Sequence, residues 1–308
     1  MYHFIINPKS SSGKSIRFWW KIKNQLEERN VPFSTYMTRK EGDASHLAGQ
    51  ICKKIKGIKN IVVVGGDGSL NEVINGITDF DKVILGYIPS GSSNDFARSL
   101  KIPKDPVKAL NKILNPKKFK YLDIGVIHFP NSDTPSRKFC CSSGMGYDAS
   151  VCMEVQASSL KKKFNKFGLG KLVYLTIAIK QLLTIKPVDG NIKIDGIEKK
   201  SFKDILIVSN MIHPYAGGGI KMAPNADPTD GKLSIMLAHG LSRFKTMILL
   251  PTILFGQHVK YKEVKTFNCS NIEINVDNDT AVHTDGEVPA VCSHIKVECL
   301  PRKIRMIL

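Results

Sequence analysis

Apolar positions divide the chain into two stretches with different rhythms. In the first, short apolar runs alternate with segments of helical spacing. Tyr2–Ile6 is such a run, followed by a polar segment over 7–13. Trp19, Ile22 and Leu26 then share one helix face. Phe33–Met37 predicts a second strand, 38–43 a turn, and Ala44, Leu47, Ile51 and Ile55 a second helix. Residues 61–64 and 83–88 predict two further strands. Between them Leu70, Val73, Ile74 and Ile77 fall at i, i+3, i+4 and i+7. This alternation builds a parallel sheet covered by helices on both faces. Such sheets bind ligands at the carboxyl ends of their strands, where these polar segments lie.

Strict alternation takes over in the second stretch. Ile192, Ile194 and Ile197 surround Asp195-Gly196, a hairpin signal. Ile272, Ile274 and Val276 alternate before Asp277-Asn278-Asp279, which predicts a turn, and Ile295 and Val297 repeat the pattern. These are antiparallel strands with one buried face. Leu172, Leu175, Ile179, Leu182 and Leu183 predict one long helix among them. The expected architecture is an α/β N-terminal domain over 1–125 and a β-rich C-terminal domain over 126–301.

Composition narrows the class. A chain of 308 residues has room for two domains with cores. The longest apolar segment, 247–255, contains Pro251 and is too short to span a bilayer. The amino terminus reads as a strand, without the basic region of a signal peptide. Seven cysteines, two of them adjacent and none spaced C-x-x-C, argue against a disulfide framework or a zinc site. A cytoplasmic enzyme is expected. The net charge of +18 implies an anionic partner. The lysines form small scattered groups and no nucleic-acid motif accompanies them, which favours a nucleotide or an anionic membrane surface. Residues 161–167, from Lys161 to Phe167, mix bases with aromatics and are either a docking segment or a solvated loop.

Candidate chemistry sits in the loops. Gly65-Gly66-Asp67-Gly68-Ser69 joins an apolar strand to a helix. A glycine turn there lets phosphates approach the backbone and the positive end of the helix. Asp67 would repel a bare phosphate, so its presence suggests an intervening metal ion. Asn7-Pro8-Lys9-Ser10-Ser11-Ser12-Gly13-Lys14-Ser15 is a near miss to a Walker A loop, with Pro8 where glycine is required. It is either a polar βα loop or a nucleotide contact. Ser92 and Asp95 belong to a third small-residue loop, and Asp95 starts a helix. Asp227 to Lys232 reads as a type I turn or an oxygen-rich metal loop, and Asp285-Gly286-Glu287 as a solvated turn or an acidic site. The histidines form no constellation. His213 and His283 are expected at the surface or in packing.

Taken in order, these motifs resemble the diacylglycerol kinase catalytic family, in its bacterial lipid kinase branch. The residues that carry the resemblance are Asn7-Pro8 with Gly13-Lys14, Thr38 with Gly42-Asp43-Ala44, and Gly65 to Val73 with Asn75-Gly76. Gly91 to Arg98, Asp230 to Leu233 and Asp285-Gly286-Glu287 complete them. The first glycine motif is shared with NAD kinases and, more distantly, phosphofructokinases. Asn94-Asp95-Phe96-Ala97-Arg98 is more specific to lipid kinases. The resemblance implies a phosphofructokinase- and NAD-kinase-like first domain, a sandwich-like second domain, and a return of 302–308 to the first. It implies ATP contacts at Asn7, Pro8, Lys9, Ser10, Ser11, Thr38, Gly66, Asp67, Gly68, Ser69, Leu70, Asn71, Glu72 and Ser92. Asp67 and Asp95 match acids that hold catalytic Mg2+ through water, and Glu287 matches the catalytic base. Asp230, with oxygens near Asp227 and Lys232, matches a structural Mg2+ loop. Serine at 69 and 92, where threonine is commoner, keeps the hydroxyl.

The activity implied is ATP- and Mg2+-dependent phosphorylation of a lipid hydroxyl, with diacylglycerol giving phosphatidic acid. NAD kinase-like or sphingoid-lipid activity, or a non-catalytic nucleotide-binding paralogue, are the alternatives. The implied partners are a lipid substrate and an anionic membrane surface at its inner face, with no nucleic acid. A homodimer is compatible with the resemblance.

Overall fold

The computed structural model describes residues 1–130, 135–158 and 170–308. The segment from Lys161 to Phe167 lies outside them. The chain forms two compact units. The first contains residues 1–124, 217–219 and 300–308, and the second contains 125–216 and 220–299.

The first unit follows the strand–helix rhythm. Its elements are β1 (Tyr2–Ile6), α1 (Lys14–Glu28), β2 (Phe33–Met37), α2 (Asp43–Lys54) and β3 (Lys59–Gly65), then α3 (Asp67–Gly76), β4 (Val83–Pro89), α4 (Asp95–Ser99) and α5 (Pro106–Leu114). The strands are parallel in the order β2-β1-β3-β4. The chain's last strand pairs in parallel with β4 at Arg305 and Met306. β4 is buried throughout and β3 at all but Asn60, which is why each reads as a continuous apolar run. On α1 the buried apolar residues are Trp19, Ile22 and Leu26, as the spacing predicts. On α2, Ala44, Ala48 and Ile51 are buried, and Leu47 is only partly so. Small residues serve there because α2 lies close on α3: a Cβ on Gly76 would stand 2.1 Å from the Ser45 carbonyl oxygen.

The second unit is built mainly from antiparallel strands. β5 (Phe119–His128) leads into it. β6 (Ser136–Phe139), β7 (Ser142–Gly146), α6 (Tyr147–Ala157), α7 (Gly170–Thr184), β8 (Val188–Ile194) and β9 (Glu198–Met211) follow. They are succeeded by β10 (Leu233–His239), α8 (Arg243–Leu254), β11 (Val264–Cys269), β12 (Asn271–Thr284) and β13 (Glu287–Ile307). β9 and β12 each pair with β7 along one part of their length and with β8 along another. Their inward residues enclose a core that includes Phe139, Met145, Val208, Ile235, Ile274, Val282 and Ile295.

The Asp195-Gly196 hairpin forms as expected. Both residues have positive φ, 48° and 70°, as the tight turn demands. The turn expected at Asp277-Asn278-Asp279 does not form. β12 runs on to Thr284, and its register against β13 slips between Asn275 and Thr280. The surplus residues are absorbed as an exposed bulge, which uses the same polar residue types as a turn. The long helix is present as α7, but its apolar positions are not uniformly inward: Ile177 and Leu182 are buried, and Ile179 and Leu183 are each 49% exposed. No described helix is long and apolar enough to cross a membrane.

Candidate active site

The strand order of the first unit reverses direction between β1 and β3. In open α/β sheets that switch point, at the carboxyl ends of the strands, is where ligands bind. The loops after β1 and β3 flank it and are joined there: Asn7 Nδ2 donates to Ser69 Oγ at 3.0 Å. Ser11 and Ser92 hydroxyls lie 3.2 Å apart, and the buried Ser15 and Ser90 hydroxyls are hydrogen-bonded to each other. The loops after β1, β3 and β4 are thereby tied together. Thr38, at the end of β2, donates its N–H to the Ile6 carbonyl at 2.9 Å and so joins the same end of the sheet.

The loops carrying Asp67 and Asp95 touch through glycine. A Cβ on Gly91 would lie 2.5 Å from Gly66 Cα, far inside carbon contact distance. This close approach lets the Asp95 N–H donate to Asp67 Oδ2 at 3.0 Å. Asp95 is 5% exposed. Its Oδ2 accepts the Gly218 N–H at 2.7 Å, and Arg98 Nε stands 3.7 Å from its Oδ1. The preceding Asn94 takes a left-handed conformation, φ 52°, and donates its Nδ2 to the Gly91 carbonyl at 2.7 Å. The Asp67 carboxylate thus reaches the backbone of Asp95, and the two acids open α3 and α4 on loops in contact with each other.

Other expected contacts fall differently. Lys9 Nζ donates to the Arg39 carbonyl at 3.1 Å, and Lys14 Nζ lies over the Phe18 ring at 5.1 Å. Leu70 is fully buried, and its N–H bonds to the Gly66 carbonyl in the first turn of α3. Asn71 is 1% exposed. Glu72 turns to α2 and accepts the Ala44 N–H at 3.0 Å, capping that helix. Among the expected nucleotide residues, Asn7, Ser11, Gly66, Asp67, Ser69 and Ser92 are thus interlinked or adjacent. Leu70 and Glu72 face other elements.

In the second unit, Asp285-Gly286 forms the turn between β12 and β13, and both residues have positive φ. The turn is anchored on every side. The Asp285 carboxylate accepts N–H bonds from Cys140, Cys141 and Ser142 at 2.7, 2.8 and 2.9 Å. Cys140 Sγ also donates to it at 3.2 Å. Cys140, Cys141 and Asp285 form the one trio within metal-ligand reach among the described residues. With the carboxylate already engaged by three amides and a thiol, this trio reads as a loop anchor. Gln156 donates to the Gly286 carbonyl at 3.0 Å. The adjoining Glu287 opens β13 and is ion-paired with Arg137 of β6.

His283 is neither exposed nor a bland packing residue. It is 5% exposed, and its Nε2 lies 2.9 Å from Asp148 Oδ2. Burial pushes its pKa down, but the Asp148 charge and hydrogen bond, with the Asp285 charge, lift it above the usual value on balance. Cross-strand pairing sets His283, Gly144 and Ser209 in one row. Gly144 leaves room for the pair, since a Cβ there would stand 2.3 Å from Asp148 Oδ2. Ser209 adds a hydroxyl bond to Asp148 at 3.2 Å. His213 is fully buried, in keeping with packing. The Asp148–His283 pair was missed by sequence reasoning, and no local motif marks it.

The 227–232 loop closes on itself. Asp227 Oδ1 accepts from the Thr229 N–H and hydroxyl at 3.0 and 2.6 Å, and Asp230 Oδ1 accepts the Lys232 N–H at 2.9 Å.

The diacylglycerol kinase catalytic domain family matches residues 1–127, and the YegS C-terminal NAD kinase beta sandwich-like domain matches residues 141–308. The Bacillus subtilis (strain 168) protein YtlR, a lipid kinase by name, is 31% identical over 93% of this chain and 93% of its own length. A diacylglycerol kinase of the same organism is 27% identical over 92% of this chain and 88% of its own. A crystal structure of a diacylglycerol kinase from Bacillus anthracis (strain Sterne) shares the fold, with a TM-score of 0.71 at 22% identity, covering 99% of this chain and 96% of that one. These matches cover both units: the chain belongs to the diacylglycerol kinase catalytic domain family and carries that family's sandwich-like C-terminal domain.

Proposed function

We propose that this protein transfers the γ-phosphoryl group of ATP to the hydroxyl of a lipid, with diacylglycerol as acceptor and phosphatidic acid as product. The observation that carries this reading is the Asp67–Asp95 pair, joined by a 3.0 Å hydrogen bond on loops that meet at Gly66 and Gly91. Two carboxylates offer hard oxygen donors, which suit Mg2+ better than a softer metal. The glycine contact keeps bulk away from the place where phosphates and ion would meet the backbone. Asp67 and Asp95 would hold the ion through waters. When bound, Mg2+ offsets negative charge on the β- and γ-phosphates.

The chain's own residues supply positioning and proton transfer. Backbone and hydroxyl groups of residues 7–11, Thr38, Gly66, Gly68, Ser69 and Ser92 bind the nucleotide at the switch point. Buried Asp95, held by the Gly218 N–H, keeps a fixed orientation and so needs little reorganisation during transfer. Glu287, on its anchored turn, accepts the proton as the lipid hydroxyl attacks. Exchange of the Arg137 ion pair for the incoming hydroxyl is part of this role. Asp227, Asp230 and the Lys232 backbone would hold a second, structural Mg2+. The protein works in the cytoplasm, at the inner face of the membrane where its substrate resides.

Relatives named diacylglycerol kinase favour that acceptor over NAD. The test is an acceptor panel of diacylglycerol, a sphingoid base, ceramide and NAD, with labelled ATP and Mg2+. Label is expected in phosphatidic acid. Label in NAD, or in no acceptor, would overturn the reading.

A further inference from the structure

Helix α8 is apolar on nearly every side: Arg243, Lys245, Thr246 and Thr252 are its only polar residues. A helix of that kind belongs in a core or against lipid. Yet α8 buries only Thr246 and Leu249. Phe244 is 73% exposed, Met247 57%, Ile248 50% and Leu254 54%, and the adjoining Phe255 is 72% exposed. Phe244, Met247, Ile248, Pro251 and Phe255 fall at i, i+3, i+4, i+7 and i+11, so they form one stripe along one face. A contiguous exposed apolar stripe marks an interaction surface.

Cations border the stripe. Arg243, at the first turn, and Lys260 and Lys262 are exposed. Lys245, Lys260 and Lys262 line a shallow groove together with Ile248. Glu263 shares the groove and is ion-paired with Lys245 at 2.8 Å. Three lysines against one glutamate leave the groove positive. An apolar helix face beside unneutralised lysines is the chemistry of a helix lying in the interface of an anionic bilayer. A second copy of the chain is a poorer occupant. A two-fold contact through this face would bring identical cationic rims together. The helix, of 12 residues, is also too short to span, in accord with the absence of a membrane-crossing helix among the described residues.

We propose that α8 and the adjoining lysine groove are the membrane-docking surface of this protein, with Phe244, Met247, Ile248 and Phe255 entering the headgroup–acyl boundary of an anionic leaflet. The docking surface stands on exposure and charge, independently of the phosphoryl-transfer chemistry. It is therefore tested by binding alone, and its failure would leave the proposed activity untouched.

The experiment is flotation of the full chain with phosphatidylcholine vesicles, with and without phosphatidylglycerol. Sedimentation velocity on the same samples reports self-association. The native protein is expected to float only with the anionic vesicles. At about 1 kcal/mol per base near the surface, Lys260→Gln with Lys262→Gln is expected to weaken binding roughly 30-fold. Phe244→Ser with Phe255→Ser is expected to weaken it at least about tenfold, from lost apolar burial. Both pairs are exposed, so unchanged melting temperatures are expected and serve as the folding control. Binding that ignores phosphatidylglycerol would overturn the proposal. So would a phenylalanine double variant that floats like the native chain, or a native dimer that these substitutions split without changing flotation.

Discussion

Gly91→Ala isolates the contact that brings the two carboxylate loops together. The added Cβ would meet Gly66 Cα at 2.5 Å and Asn94 Oδ1 at 2.8 Å. Carbon atoms pack at about 3.5–4.0 Å, so the loops must part by about 1 Å. Both contacts are with backbone or with a side chain fixed by its own hydrogen bond, so no flexible group can yield. Overpacking of this kind costs about 1–3 kcal/mol in stability. The larger effect is on chemistry. A 1 Å misplacement of reacting groups lowers rate by about 100-fold. We therefore expect kcat/KM for diacylglycerol with saturating Mg2+ and ATP to fall by about that factor, while melting temperature falls only by several degrees. Gly49→Ala is the control. Gly49 lies within α2, and its Cβ would stand 3.4 Å from the Gly76 carbonyl oxygen of α3, an ordinary van der Waals contact. That change is expected to leave kcat/KM alone and to add up to about 1 kcal/mol of stability. A Gly91→Ala protein with native kcat/KM would refute the claim that the Gly66–Gly91 approach sets the geometry of Asp67 and Asp95.

Further outcomes are expected in the second unit. Asp285→Ala removes the acceptor of three N–H bonds of 2.7–2.9 Å and places alanine at a φ of 47°. Urea unfolding is expected to show a loss of about 3–5 kcal/mol, and a loss under about 1 kcal/mol would contradict the anchoring role. The His283 pKa is raised above the ordinary 6.5 in the folded protein by the balance of Asp148 over burial. Its stabilisation is therefore fully present below that value and fades as pH climbs through the folded value. The stability gap between native protein and His283→Gln should be widest in mild acid and narrow in mild alkali, and a gap that widens with pH would show the sign to be wrong.

The parallel sheet and the polar loops at its strand ends were legible because they depend on local signals. Ile61 to Val64 followed by glycines, and the spacing of Trp19, Ile22 and Leu26, each need only a few neighbouring residues to interpret. The Asp195-Gly196 hairpin was legible for the same reason. The turn misread at Asp277 to Asp279 shows the limit. A bulge and a turn recruit the same polar residues, and only cross-strand register separates them. Register also hid the Asp148–His283 pair. It exists because His283, Gly144 and Ser209 share a row, and a slip of one residue would send His283 to the opposite face. The Arg137–Glu287 pair joins residues 150 positions apart, with no motif around the arginine. The exposure of α8 was equally hidden, since an apolar run reads as core until the neighbours that fail to cover it are known. Family resemblance named Asp67, Asp95 and Glu287. Of the residues it named for ATP, Leu70 has a buried side chain and Glu72 accepts the Ala44 N–H, placements that no local motif announced.

The most direct test is transfer of labelled phosphate from ATP to diacylglycerol in mixed micelles, with nucleotide affinity measured on the same samples of native and Glu287→Gln protein. The account predicts phosphatidic acid formation by the native chain, loss of turnover by at least about 100-fold in the variant, and equal nucleotide affinity in both. Undiminished turnover in Glu287→Gln would contradict it.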